Sequence, residues 1–468
     1  MMNKSVSLII AFVFLLTTIL SGCSGSSSEG SNEKETASTT DSVETVASNT
    51  NDDPTSKAVT DFSKETTITI QHEWGLDQIS GLMQPIEDKL QAEGKNIKVK
   101  WIQGQPTLEA LQELNAKGVV PDIIYTSKGI DGLQELDMVE PIDEWSKIYG
   151  LDMSRIDPSV VSLFRSFDDN GSMIGVPTFA DTYTLFYNKE IFDMFGVPYP
   201  TDQMTWDETL ELAKKLTGER DGVAYRGLEL GWQNSVTDDT LAPLKELIAN
   251  VVDPGTDDVL LTTEPAVTRY FEFMKKFYSI PGLYERNKEK QASFFASGTA
   301  AMLVSWPTYM EWGIPENVRA NTNAVRLPIW GGVDQDAPTT TAHMYVLNKY
   351  SENKDAAFQW MKEVVADDMQ KKFSAAGYPT VLKNRDIISV FGSEKDIYNG
   401  QNVSAYFPDH AKLLEGKSSK WNKVADSMIV ESLPGFASSD MNIPEYLRTL
   451  QEKLEAKIAD EKAKKKQG

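Results

Sequence analysis

An α/β fold in two domains is predicted by three observations. A chain of 468 residues is too long for one ordinary core, short apolar strands alternate with amphipathic helices from Thr66 onward, and well-delimited helices recur to the C-terminus. The hydrophobic fraction of 40% supports well-buried interiors.

The chain opens with Lys4 ahead of the apolar run "SVSLIIAFVFLLTTILSGC", the length and polarity of an export signal. Leu20, Ser21, Gly22 and Cys23 resemble the lipobox of bacterial lipoproteins, which is cut just before its cysteine. Cys23 is the only cysteine, so no internal disulfide can form, and lipidation gives its thiol a use. An N-terminus carrying two or more acyl chains would hold the protein stably on a membrane. Residues 1–22 are therefore expected to be a lipoprotein signal peptide and Cys23 the lipidation site. Residues 23–60 contain no aromatic side chain and almost no large aliphatic one, and read as a disordered tether.

Folded structure is predicted to begin with a strand at Thr66–Gln71. An amphipathic helix through Ile79, Leu82, Met83, Ile86 and Leu90 follows, then a strand alternating Ile97, Val99 and Trp101. A helix around Thr107–Ala116 and the strand "DIIYT" from Asp122 complete a βαβαβ unit, which implies a parallel sheet. Ligands of open sheets bind beyond the carboxyl ends of the strands, where His72–Gly75 and Ser127–Gly129 fall.

Later helices are delimited by their own residues. In "TWDETLELAKKLTG", Thr205 and Glu208 form a capping box, Leu210, Ala213 and Leu216 form the buried stripe, and Gly218 is the stop. Pro265 opens a helix with Val267, Tyr270, Phe271, Met274 and Phe277 on one face. One helix is expected across Asp355–Phe373, and a last one from Pro444 carries Leu447, Leu450, Leu454 and Ile458 before fraying at "EKAKKKQG".

Several chemistries are disfavoured. "HEWGLD" has Leu76 where a zinc-binding H-E-x-x-H helix places its second histidine, and no Cys/His set for structural zinc exists. "EGKSS" lacks the earlier glycine of a phosphate loop, and no G-x-S-x-G elbow occurs. The formal charge is −23, and removing residues 1–22 takes away Lys4 and no acid, leaving −24. Such an acidic chain is a poor partner for nucleic acid or anionic lipid. No cofactor or metal is expected.

Three segments carry a family resemblance. "GVPTFADTYTLFYNKEIFDMFGVPYPTDQMTWDETLELA" from Gly175 matches a pattern of G-(V/I)-P, a spacer, Y-N-K, a proline-rich turn and T-W-x-E before a helix. "FASGTAAMLVSWP" from Phe295 matches F-x-x-G-x-A-A-M. "AHMYVLNKYSENKDAAFQWMKEVV" from Ala342 matches a strand, turn and helix in the same order. Together, over Thr66 to about Lys383, the chain resembles the family 1 extracellular solute-binding proteins, the sugar-capturing components of bacterial ABC importers. The resemblance implies a two-lobed periplasmic-binding-protein-like α/β fold of type II, with lobes joined by hinge strands that absorb closure on a ligand. Lobe one would hold 61–180 with 343–373, and lobe two 181–342 with 374–468.

A sugar cleft needs flat aromatic faces with carboxylates, amides and cations beside them. Of the tryptophans, Trp145, Trp206 and Trp360 lie in helical patterns and are assigned to cores. Trp74, Trp232, Trp306 and Trp330 lie in loops with Gly, Pro or amide neighbours, where cleft lining and local packing are both open. Glu73 would accept ligand hydroxyls beside Trp74. Asp181 lies at the crossing where related sugar binders place an acid, with a turn cap as the alternative, and Tyr183 shares its segment. Ser127 and Lys128 end the third strand and could donate to ligand oxygens. His343 lies at the second crossing, as a ligand contact or a structural histidine.

The expectation is a monomeric, non-enzymatic, lipid-anchored protein facing the cell exterior or periplasm. It would capture a carbohydrate, in particular an oligosaccharide, and deliver it to ABC permease subunits. A surface glycoside hydrolase or lyase, or a receptor presenting sugar to a sensor kinase, are the competing readings.

Overall fold

Alternation in Thr66–His72 (β1) puts Ile68 and Ile70 on a fully buried face, and the strand carries the chain into the first core. In this computed structural model the described residues are 61–127, 129–231, 238–282, 293–333, 337–338 and 341–465. Helix Leu76–Ala92 (α1) buries Ile79, Met83, Ile86 and Leu90, the stripe expected from spacing. Ile97–Gln103 (β2), Leu108–Ala116 (α2, capped by Thr107 Oγ1 accepting from Ala110 N) and Ile123–Thr126 (β3) complete the unit. β1 pairs in parallel with β2 from Thr66↔Ile97 to His72↔Gln103, and in parallel with β3.

Helix Pro158–Ser166 (α3) is capped by Asp157, whose carboxylate accepts from Ser159 N. Val176–Asp181 (β4) lies in the first sheet, and after Thr182 and Tyr183 the chain enters Thr184–Asn188 (β5) of the second. Helix Trp206–Lys215 (α4) has the expected capping box. Glu229–Leu230 (β6), helix Pro265–Tyr278 (α5), Met302–Ser305 (β7) and Thr322–Arg326 (β8) follow. Thr341–Leu347 (β9) then returns to the first sheet.

The strand orders are β2-β1-β3-β9-β4 and β8-β5-β7-β6. The first sheet is mixed rather than parallel, because β9 arrives from the other half of the chain and pairs antiparallel with both β3 and β4. Gly175, the glycine of the G-V-P segment, sits where a Cβ would stand 2.7 Å from the Tyr345 carbonyl oxygen, so only glycine lets β4 start this close to β9.

The single helix expected over Asp355–Phe373 is two, Lys354–Val364 (α6) and Asp367–Ala375 (α7). Ala366 is extended between them (φ −70°, ψ 144°), and Asp367 and Asp368 favour a fresh N-terminus. Helix Asn422–Ala437 (α8) precedes Ile443–Lys465 (α9). α9 continues through the lysine-rich end, where Lys457–Glu461 and Lys464–Asp460 are i,i+4 ion pairs.

Two large cores follow the sheets. One gathers β1, β3, β4 and β9 with α1 and α6, and it extends past residue 373 to Val381, Leu382 and Ile387. The other gathers β5 and β7 with α4, α5, α8 and α9. A smaller cluster on the second sheet includes Phe186, Phe295, Leu303, Phe391 and Tyr406. Trp145, Trp206 and Trp360 are buried, as assigned.

Candidate functional site

The ends of β1 and β3 deliver the first wall of a cleft of about 1410 Å³. Beyond β1 the chain splits its polar cluster. His72 turns inward and is fully buried, its ring stacked on Tyr125 at 3.8 Å, with Trp74 N–H donating to its Nδ1 at 3.0 Å. Burial, with His343 nearby, holds its pKa down at about 3, so the imidazole is neutral. Glu73 accepts from Ser127 Oγ across the two strand ends. Trp74 lines the cleft, near-parallel to Phe179 (5.8 Å, 4°) and Tyr378 (5.8 Å, 25°), while Phe179 and Tyr378 stack at 4.6 Å.

The floor is built where the chain crosses between sheets. Register in β4 and β9 runs Thr341↔Asp181 and Ala342↔Ala180, then shifts to Met344↔Pro177, so a bulge sets Thr178 and Phe179 against His343 alone. Asp181 and His343 both line the cleft, with His343 Nε2 3.9 Å from Asp181 Oδ2 and His343 Nδ1 2.5 Å from Tyr125 OH. Burial raises the Asp181 carboxyl to about 7, only partly offset by a hydrogen bond from Thr308. Burial lowers His343 to about 4.

Tyr183 and Trp306 form a second aromatic pair at 5.8 Å and 27°, and both line the cleft. Among the buried polar atoms of cleft-lining residues that have no hydrogen-bond partner among the described residues are Asp181 Oδ1 and Trp306 Nε1. One is an acceptor and the other a donor.

Thus Glu73, Trp74, Ser127, Asp181, Tyr183, Trp306 and His343 are brought together, Glu73 through its bond to Ser127. Trp330 is not. It is 5% exposed, donates Nε1–H to Pro243 O at 2.7 Å, and packs on Trp206 and Phe273 under Arg269. Its loop position concealed a packing role in the second core. Lys128, Trp232 and Cys23 lie outside the described residues, as do the signal segment and tether. Sequence reasoning missed Phe179, Gln78, Glu311, Trp312 and Tyr378, all lining the cleft. Tyr378, in "AAGYPTVL", meets the same loop criterion used for tryptophan and would have been found had tyrosines been screened alike.

Of the four lysines that line the cleft, three are paired with carboxylates and, among the described residues, Lys423 is not. Lys245 pairs with Asp426 at 2.7 Å, Lys420 with Asp257 at 3.3 Å, and Lys417 with Asp169. Among the described residues no group of three or more His, Cys, Asp or Glu could hold a metal ion, and no helix is long and apolar enough to cross a membrane.

Residues 75–371, more than half of the chain, match the family model described as bacterial extracellular solute-binding protein. The sn-glycerol-3-phosphate-binding periplasmic proteins of Brucella abortus and Brucella suis are 24% identical over 179 residues, 37% of this chain. The match spans only 40% of those relatives' length. Among solved structures, a sugar transporter protein of Rhizobium etli in an open conformation aligns at TM-score 0.68 and 20% identity, over 84% of this chain and 99% of that one. The sugar-binding protein MalE of Xanthomonas citri aligns at TM-score 0.68 and 16% identity, over 86% and 100%. A Listeria monocytogenes substrate-binding protein in complex with cycloalternan aligns at 0.62 and 18%, over 85% and 100%. These likenesses show the α/β periplasmic-binding-protein fold with two mixed sheets. The chain belongs to the bacterial extracellular solute-binding protein family, and is a binding protein rather than an enzyme.

Proposed function

We propose that this protein captures a carbohydrate, in particular an oligosaccharide, in the cleft and delivers it to the permease subunits of an ABC transporter. The observation that carries the reading is the composition of the walls. Trp74 with Phe179 and Tyr378, and Tyr183 with Trp306, border the same cleft as the unpartnered Asp181 Oδ1 and Trp306 Nε1. Aromatic faces bury the C–H faces of sugar rings, and a lone acceptor and donor beside them suit hydroxyls, which serve as both. The volume is ample for more than one ring, since single small-molecule sites run to roughly 300–1,000 Å³.

Ligand spanning both walls would favour the closed arrangement, because closure gains contacts the open form lacks. Lipidation at Cys23, with residues 23–60 as a spacer, would keep the binder at the membrane that holds the permease. A phosphorylated polyol, as in the names of the Brucella relatives, is less well served. Three of the four lysines that line the cleft are already paired with carboxylates.

A thermal-shift screen with mono- and oligosaccharides tests the reading. Ligand at a hundred times its dissociation constant adds roughly 2.7 kcal/mol to the native state. Stabilisation by glycerophosphates and by no sugar in the library would overturn it.

A further inference from the structure

Tyr125 of β3 and His343 of β9 stand on one face of the first sheet. Tyr125 is directly opposite Tyr345, and His343 lies two positions back along β9, which makes it the diagonal neighbour within reach of an aromatic side chain. The contact is made at 2.5 Å, between Tyr125 OH and His343 Nδ1. Tyr125 is held from behind, fully buried, stacked on His72 at 3.8 Å and packed by Trp74 at 5.6 Å and Tyr345 at 5.2 Å.

The surroundings decide which atom of this pair carries each proton. Burial raises the Tyr125 phenol well above its ordinary value and lowers His343 to about 4, so both groups are neutral at pH 7. A neutral imidazole carries one proton. Were it on Nδ1 and donated to Tyr125, the phenol proton would be left without an acceptor among the described residues, and the Nε2 lone pair would face the Asp181 carboxyl. With Tyr125 donating to Nδ1, the imidazole proton sits on Nε2 and N–H faces Asp181 instead.

His343 Nε2 and Asp181 Oδ2 are 3.9 Å apart, too far for a direct hydrogen bond, yet one oxygen can lie within about 2.7–3.0 Å of both. Both side chains line the cleft and keep 18% and 9% of their surface exposed. A hydroxyl oxygen placed there accepts from Nε2–H and donates to the carboxylate at once. An ether or carbonyl oxygen has no proton to give, and a phosphate brings a second negative charge against Asp181.

We propose that Tyr125 is a positioning residue. Its hydroxyl fixes His343 as the Nε2–H tautomer, so that His343 and Asp181 together grip one free hydroxyl of the ligand. The proposal rests on the cleft being the carbohydrate site, as proposed above.

The test uses the full chain carrying Cys23→Ser, made with 15N- and 13C-labelled histidine. The chain has three histidines, and His343→Leu identifies the resonances of His343 by their loss. Without ligand, nuclear magnetic resonance should find His343 as Nε2–H, with its Nδ1 resonance displaced by an accepted hydrogen bond, and Tyr125→Phe should remove that displacement. An Nδ1–H tautomer in the parent, or an Nδ1 resonance that Tyr125→Phe leaves in place, overturns the proposal. In calorimetry with maltotriose as probe, His343→Leu and Tyr125→Phe should each weaken binding by about two- to twelvefold, the worth of one hydrogen bond. Tyr125→Phe should cost nothing further once His343→Leu is present, because Tyr125 acts through the imidazole. An equal loss in both backgrounds refutes the positioning role. Absence of heat with the parent counts against the carbohydrate reading, while the ligand-free tautomer still decides the Tyr125–His343 pair.

Discussion

Asp181 titrates close to neutrality because burial raises its carboxyl to about 7, and its Oδ1 has no partner in the cleft wall. A sugar hydroxyl donates more strongly to the ionised carboxylate than to the neutral acid. Below pH 7 the carboxylate fraction falls tenfold per unit, so at pH 5 about one molecule in a hundred is ionised, and ionising the rest costs about 1.4 kcal/mol per unit. Affinity should rise by up to about a hundredfold from pH 5 to pH 8 and level off above 7. The neighbouring histidines do not contribute, since burial depresses His72 to about 3 and His343 to about 4, leaving both neutral across this window. Asp181→Asn should abolish the slope and weaken binding at pH 8 by about tenfold or more, as loss of a hydrogen bond to a charged group does. Isothermal titration of both proteins at pH 5, 6, 7 and 8 is the assay. An affinity flat across that range in the parent, or rising toward acid, would refute the role assigned to Asp181.

Trp74→Ala should weaken sugar binding by about 30- to 150-fold, since covering one face buries roughly 100 Å² of an indole at about 25 cal/mol/Å²; retained affinity would return Trp74 to strand-end packing. Trp330→Ala should lower stability by about 3–5 kcal/mol in urea unfolding and leave affinity unchanged in the folded protein, because the ring packs in the second core. Burial raises Glu246 to about 8 while its oxygens accept from Trp206 Nε1 and Trp330 N. The native state therefore holds a proton that the unfolded chain releases near its ordinary value. This contribution is full below about pH 4.5 and is lost as pH rises through 8, so the stability of Glu246→Gln relative to the parent should climb by about 1.4 kcal/mol per pH unit between, read by urea unfolding. Gly175→Ala drives a methyl against the Tyr345 carbonyl and should cost about 1–3 kcal/mol, seen as a lower melting temperature.

Local information was legible where the physics is local. The 3.6-residue spacing of Ile79, Met83, Ile86 and Leu90 sufficed for α1, and Thr205 with Glu208 fixed the start of α4, since capping and amphipathicity act within one or two turns. The break at Ala366 was harder to see, because the apolar stripe continues across it and only the paired aspartates mark a new N-terminus. The order of the G-V-P, F-x-x-G-x-A-A-M and A-x-x-F segments carried the family, hence the fold.

What the residues determined by themselves is therefore the first βαβαβ unit, most of the well-delimited helices and a short roster of cleft candidates. Tertiary structure decided which candidates meet. His72 and Glu73 are neighbours in sequence, yet strand alternation sends one into the core and leaves the other at the strand end, bonded to Ser127. Trp306 and Trp330 look alike as loop tryptophans, but only the partners supplied by distant segments separate a cleft wall from a packed interior. Antiparallel insertion of β9 beside β4 sets His343 next to Asp181 across 162 positions of sequence, and the bulge there faces Phe179 toward it. The hydrogen bond between Ser166 and Ser418 joins residues 252 positions apart and leaves no periodic trace. Such contacts follow from how separate elements dock, and no spacing along one strand or helix encodes them.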